Sequence, residues 1–132
     1  MPAPSTELQT LKAQFFGALA HPVRIRVLEV LVASGETSVQ ELQRALDLEQ
    51  PIVSQQLARL KSSGIVIGRR QGATTYYTLA DPMISSLLSA AKQILNQQLV
   101  GAQSLLKELQ DDPHAQGASR RSQAAKSRRV RA

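Results

Sequence analysis

The sequence predicts a mainly α-helical domain with one small β-hairpin, an α+β arrangement in the order helix, helix, helix, helix, strand, strand, long helix. Three observations predict it. Apolar residues recur at three-and-four spacing in separate segments between Leu8 and Leu109. Capping residues, prolines and glycines punctuate those segments. β-Branched and aromatic residues between Gly64 and Thr78 gather on either side of a basic, glycine-containing segment. With 132 residues, 42% of them hydrophobic, the chain supports one modest core, which excludes a multidomain enzyme.

Taken in order, Met1 to Pro4 carries two prolines in four residues and reads as a short flexible arm. The folded domain is expected over residues 5–112. Its first helix places Leu8, Leu11, Phe15 and Leu19 on one face after Ser5 or Thr6, either of which serves as N-cap. His21-Pro22 stops that helix and starts a second, because proline suits the first helical turn, and His21 is read as a structural or capping residue. The second segment ends at Gly35. Its interior is ambiguous: Val23, Ile25 and Val27 alternate like a strand, while Val27, Leu28 and Leu31 repeat like a helix, and about twelve residues before a glycine favour the helix.

Ser38-Val39-Gln40-Glu41 is a capping box that opens a short helix with Val39, Leu42, Ala45 and Leu46 facing inward. After Asp47-Leu48-Glu49, Pro51 pre-sets a further helix in which Val53, Leu57 and Leu60 face the core and Gly64 terminates the run. That pair is a helix-turn-helix candidate. Ile65-Val66-Ile67 and Thr74-Thr75-Tyr76-Tyr77-Thr78 then flank Arg69-Arg70-Gln71-Gly72-Ala73, a hairpin with a basic tip. From Asp81-Pro82, apolar residues from Ile84 to Leu109 keep helical spacing over up to ~45 Å at 1.5 Å per residue. A body this small does not cover such a stripe. The first and last helices are therefore expected to bury the remainder in a homodimer.

Charge divides the chain in two. Residues 1–112 carry ten basic and ten acidic side chains and are neutral, whereas residues 113–132 carry Arg120, Arg121, Lys126, Arg128, Arg129 and Arg131 without an acid and supply the whole net charge of +6. With one Val and no aromatic residue, that tail is expected to be disordered. No apolar run approaches the ~18 residues of a membrane span, and Glu7 and Lys12 interrupt the N-terminus where a signal peptide would be apolar. A soluble, cytoplasmic protein is expected. The absence of cysteine excludes disulfides, thiolate metal sites and cysteine nucleophiles.

Helix, helix, helix-turn-helix, basic hairpin, long helix is the order of a winged helix-turn-helix. From Phe16 to Leu79 the chain resembles the ArsR/SmtB family of bacterial transcriptional regulators. Ala18-Leu19-Ala20-His21-Pro22-Val23-Arg24 is similar to the family's opening, and Val53-Ser54-Gln55-Gln56-Leu57 to its recognition-helix core. Arg69-Arg70-Gln71-Gly72 before Tyr76-Tyr77 resembles its wing. The resemblance implies a homodimer that grips a pseudo-palindromic operator, with one recognition helix in each of two major grooves. Repression is the family default, activation being the other possible sign, and nucleoid association would follow from DNA binding.

Residue chemistry agrees, since glutamine bonds adenine edges bidentately and arginine pairs with guanine. Gln50, Ser54, Gln55 and Arg59 lie away from the Val53/Leu57/Leu60 face and are the expected DNA contacts, with Gln56 contributing where many relatives carry histidine. Arg69 and Arg70 are expected at phosphates or in the minor groove, and Lys61 at the backbone. The plainer reading of an isolated polar helix face is solvation; the ordered match on both sides of this one weighs against it. Tyr76-Tyr77 reads as wing packing rather than base stacking, because strand alternation sends one ring towards the core. The six tail cations either follow phosphates, which would steepen the salt dependence of affinity by about five at ~0.9 per phosphate, or simply solubilise the chain.

Metal-sensing relatives commonly use a cysteine pair near the first helix of the helix-turn-helix, or histidines and carboxylates on the last helix. Here Ser38 and Gln40 stand at the cysteine-bearing positions, and residues 81–110 contain no histidine. What remains is Glu108, Asp111 and Asp112 close to His114, a nitrogen-and-oxygen cluster that nickel, cobalt or zinc would tolerate, with Glu108, Asp112 and His114 as the candidate ligands and an acidic, frayed helix end as the plainer account. No cofactor is required. The alternative function is a winged-helix protein-interaction module whose DNA affinity is non-specific and tail-driven. It would lose that affinity without the tail, whereas an operator reader would discriminate sequences with residues 1–112 alone. Enzymatic activity is not expected, because no nucleophile elbow or phosphate-binding glycine loop is present.

Overall fold

The computed structural model describes residues 4–111, which divide into a body ending at Leu88 and the helical segment from Ser89 onward. The elements are α1 (Pro4–Leu19), α2 (Pro22–Ser34), β1 (Thr37–Ser38), α3 (Val39–Leu46), α4 (Gln50–Ser62), β2 (Val66–Gln71), β3 (Thr74–Leu79) and α5 (Met83–Asp111). The expected order of helices and hairpin is present, with one strand more.

Helix α1 begins at Pro4, ahead of the expected Ser5 or Thr6 cap. Proline fits there because the first-turn N–H it lacks would have no helical partner. Pro4 thus belongs to the helix rather than to the expected flexible arm, whose first three residues lie outside the described ones. His21 caps α2 as expected: its Nδ1 accepts the Val23 N–H at 3.1 Å. The strand-like alternation of Val23, Ile25 and Val27 resolves as helix, with Val27, Leu28 and Leu31 buried.

Ser38 closes half of the predicted capping box, its Oγ accepting the Glu41 N–H at 3.2 Å. Leu42 and Leu46 are buried and Val39 is half-buried, but Ala45 is exposed, contrary to its expected inward position. Asp47 ends α3 in the left-handed region at φ 54°. Helix α4 ends in a Schellman arrangement: Ile65 N–H reaches Leu60 O, Gly64 N–H reaches Lys61 O, and Gly64 sits at φ 72°. Leu60 and Ile65, which flank that turn, are both fully buried.

The hairpin differs from its expected form. Arg69, Arg70 and Gln71 are not its tip but the end of β2, paired with Tyr76, Thr75 and Thr74, so that the turn is only Gly72-Ala73. A positive φ of 63° at Gly72 alone matches a type II′ turn. The sheet also has a third strand that the sequence did not reveal. β1 pairs with β3 through Thr37↔Tyr77 and Ser38↔Tyr76, giving the order β1-β3-β2.

Thirteen apolar residues form the core, among them Leu28, Leu42, Val53, Leu57, Leu60 and Ile65; Tyr77, Leu79, Leu87 and Leu88 pack partly buried against it. At about 1.5–3 kcal/mol for each fully buried aliphatic side chain, this cluster is what holds α4 in place. Beyond Leu88 the helix leaves Ile94, Leu95, Leu99, Val100 and Leu105 exposed, and α1 by itself exposes Leu8, Leu11 and Phe16.

Candidate nucleic-acid interface

Helices α2, α3 and α4 surround the core, and α4 presents a polar face because Val53, Leu57 and Leu60 anchor its other side. At about 100° per residue, Gln50, Ser54 and Lys61 fall within about 40° of one another, with Gln55 about 100° further round. Gln50, Gln55 and Lys61 are exposed and Ser54 is half-buried. Three of the eight expected DNA contacts, Gln50, Ser54 and Lys61, therefore share one side of the helix, and Gln55 is exposed on the adjoining side.

Two others on α4 are engaged within the protein. Gln56 is half-buried, and its Oε1 accepts from Arg24 Nη1 at 2.8 Å. Arg24 also donates through Nε to Ala18 O at 2.6 Å, which makes it a strut between the end of α1 and the recognition helix. Arg59 donates through Nη1 to Ser63 Oγ and lines a groove of about 550 Å³ with Leu11, Gln14, Phe15, Ser62 and Ser63. Its cation sits beside α1, away from Gln50 and Ser54.

The wing separates its two arginines. Strand pleating places Val66, Gly68 and Arg70 on one face, which through Val66, Tyr77 and Leu79 joins the core, and Ile67, Arg69 and Gln71 on the outer face. Arg69 grips Glu36 with Nε, at 3.1 Å, and Nη2; its Nη1 donates to Gln71 Oε1 at 3.0 Å. Its guanidinium lies 5.2 Å from the Tyr76 ring centroid. The hydrogen bond from Arg69 holds the Glu36 carboxyl below its ordinary value, and Glu36 in turn raises Arg69. Arg70 makes one hydrogen bond, from Nε to Gly72 O at 3.3 Å, and its charge has no carboxylate partner among the described residues.

Sequence reasoning did not find Glu36 or the strut role of Arg24, because their partners lie 33 and 32 positions away and no periodicity links them. Tyr77 packs towards the core and Tyr76 against Arg69, in line with the reading of both as wing residues. Glu108 is exposed on α5; its expected companions Asp112 and His114 lie outside the described residues, as does the basic tail from Pro113. Among the described residues no three His, Cys, Asp or Glu side chains cluster as a metal site, and no helix is long and apolar enough to cross a membrane.

A helix-turn-helix whose second helix exposes a polar face, followed by a two-stranded wing, defines a winged helix-turn-helix DNA-binding domain. Residues 21–67 match the family profile described as bacterial regulatory protein, arsR family. The HTH-type transcriptional regulator Rv0081 of Mycobacterium tuberculosis is 40% identical over 105 residues, spanning 80% of this chain and 92% of that protein. Its crystal structure superposes with a TM-score of 0.67 at 42% identity, over 76% of this chain and 98% of that one. The biofilm growth-associated repressor of Agrobacterium fabrum is 40% identical over 91 residues, 68% of this chain and 77% of that protein. The solution structure of the homodimeric winged helix-turn-helix DNA-binding domain Mb0332 of Mycobacterium bovis has a TM-score of 0.68 at 27% identity, over 75% of this chain and 91% of that fragment. The chain belongs to the ArsR family of DNA-binding transcriptional regulators, a family of regulators and not of enzymes.

Proposed function

We propose that the protein is a homodimeric repressor that reads a pseudo-palindromic promoter operator. The observation that carries this reading is the face of α4. The core fixes the helix through Val53, Leu57 and Leu60 and leaves the amides of Gln50 and Gln55 and the hydroxyl of Ser54 as base-reading groups. Arg70 and Lys61 supply phosphate contacts, and Arg59, Gln56 and Arg69 act mainly through the contacts that hold helix and wing in place. Dimerisation is supported by the apolar residues that α1 and α5 each leave exposed, and by the homodimeric state of the Mb0332 domain. The repressor sign follows the biofilm growth-associated repressor. The regulator works on chromosomal DNA in the cytoplasm.

The test is fluorescence anisotropy with the full chain on its own upstream DNA and on scrambled DNA of equal length, at physiological salt. A preference of about a thousandfold or more is expected. Equal, weak, salt-sensitive binding to both would overturn the operator reading for that site and return the interaction-module alternative. The same titration with nickel or zinc tests effector binding at the helix end that carries Glu108.

A further inference from the structure

The two wing arginines, adjacent in sequence, stand in opposite electrostatic states. All three nitrogens of Arg69 have acceptors: Nε and Nη2 on the Glu36 carboxylate, Nη1 on Gln71 Oε1. An exposed ion pair of ordinary geometry would yield readily to a phosphate. This one is two-pronged, carries a third hydrogen bond and lies against the Tyr76 ring, which are the features that distinguish a held arginine from a wandering one. Glu36 itself immediately precedes β1, the strand that leads into α3, so the pair spans the sheet from the helix-turn-helix side to the wing. Arg70 projects from the opposite face of β2 with no carboxylate partner among the described residues.

We propose that Glu36 is a specificity-determining residue: by holding Arg69 it removes one cation from phosphate binding, so that the wing meets DNA with Arg70 alone. The proposal rests on the DNA-binding reading above. Its physical basis is that phosphate contacts strengthen binding to every sequence alike, whereas base contacts distinguish sequences. A free Arg69 would raise affinity for non-cognate DNA with no gain in recognition. Glu36 therefore acts as an internal stand-in for phosphate that keeps the ratio of specific to non-specific affinity high.

The experiment uses the full chain and its Glu36→Gln, Arg69→Gln, Arg70→Gln and Glu36→Gln/Arg69→Gln variants, each confirmed as folded by thermal melting. Affinity is measured from 50 to 200 mM KCl on a preferred duplex selected from a random library and on a scrambled duplex. Arg70→Gln, which removes one phosphate contact from each protomer of the dimer, should flatten the slope of log affinity against log salt by about 1.8, and Arg69→Gln should leave it unchanged. Glu36→Gln, which frees one Arg69 in each protomer, should steepen it by about 1.8, an additional loss of about tenfold across that salt range, and lower the preferred-to-scrambled ratio. The double variant should return to the wild-type slope. An Arg69→Gln slope as flat as that of Arg70→Gln, or an unchanged slope in Glu36→Gln, would overturn the proposal, because Arg69 would then already reach phosphate. Failure of the wild type to prefer any selected duplex would instead sink the operator reading, while the slopes on scrambled DNA would still decide the state of Arg69.

Discussion

Arg24 and Gln56, 32 positions apart, are joined by a 2.8 Å hydrogen bond from the Arg24 Nη1 to the Gln56 Oε1, while the Arg24 Nε holds the Ala18 carbonyl at 2.6 Å. One side chain thus ties the end of α1 to the recognition helix. Removing it leaves a part-buried glutamine amide and a helix-terminal carbonyl to find water. Arg24→Ala should cost about 2 kcal/mol and Gln56→Ala about 1 kcal/mol in urea denaturation. Their double-mutant cycle should return a coupling of about 0.5–1 kcal/mol; strict additivity would show that the bond does not contribute to stability.

The base-reading assignment makes a separate prediction for the outward amides. Gln50→Ala and Gln55→Ala should each lose roughly 1–3 kcal/mol of discrimination between operator and scrambled DNA, with melting temperature and salt slope unchanged. Both side chains are exposed, so truncating either opens no cavity. A uniform loss on both DNAs would reassign these residues to backbone contact.

The Glu36–Arg69 pair sets an acid-side pH dependence. Arg69 lowers the Glu36 carboxyl below its ordinary 4.5 in the folded state, so the stabilisation is present above 4.5 and disappears as pH falls through the lowered value. Arg69 is raised, so its part is retained throughout the neutral and mildly alkaline range. Melting temperatures of wild type and Glu36→Gln should therefore differ at pH 6–8 and converge as the pH falls below 4.5 and through the lowered Glu36 value. A gap that persists at low pH would mean that the carboxylate charge is not what stabilises the wing.

Two wing glycines are required for different reasons, and substitution separates them. A Cβ at Gly68 would stand 3.2 Å from Cε1 of Tyr77, a ring packed against the core, so Gly68→Ala should cost about 1 kcal/mol through crowding. At Gly72 there is open space, but φ is 63°, and Gly72→Ala should cost about 1–2 kcal/mol through backbone strain. Asparagine tolerates that conformation and should recover part of the loss at Gly72 but none at Gly68. Equal effects of Ala and Asn at Gly72 would refute the strain explanation.

Much of the fold was legible because its signals are local. His21-Pro22, Ser38 and Gly64 mark helix ends through bonds that span two to five residues, and such bonds form in much the same way in any chain with those residues there. The polar face of α4 followed from the spacing of Val53, Leu57 and Leu60. The hairpin was legible as an element but not in its extent. Arg69, Arg70 and Gln71 lack the β-branched texture of their neighbours, and their strand state comes from pairing with Thr74, Thr75 and Tyr76.

By itself, then, the sequence determined the element order, the helix-turn-helix, the recognition face and the family resemblance, since each depends on neighbours within a few positions. Only the tertiary structure decided which of the polar residues are free. Gln56 faces inward to Arg24, Arg69 is held by Glu36, and Arg70 has no carboxylate partner among the described residues, because a side chain's partner is set by which strands and helices meet in space. β1 belongs to the same class: two residues with no periodicity of their own become a strand when Tyr76 and Tyr77 of β3 lie alongside them.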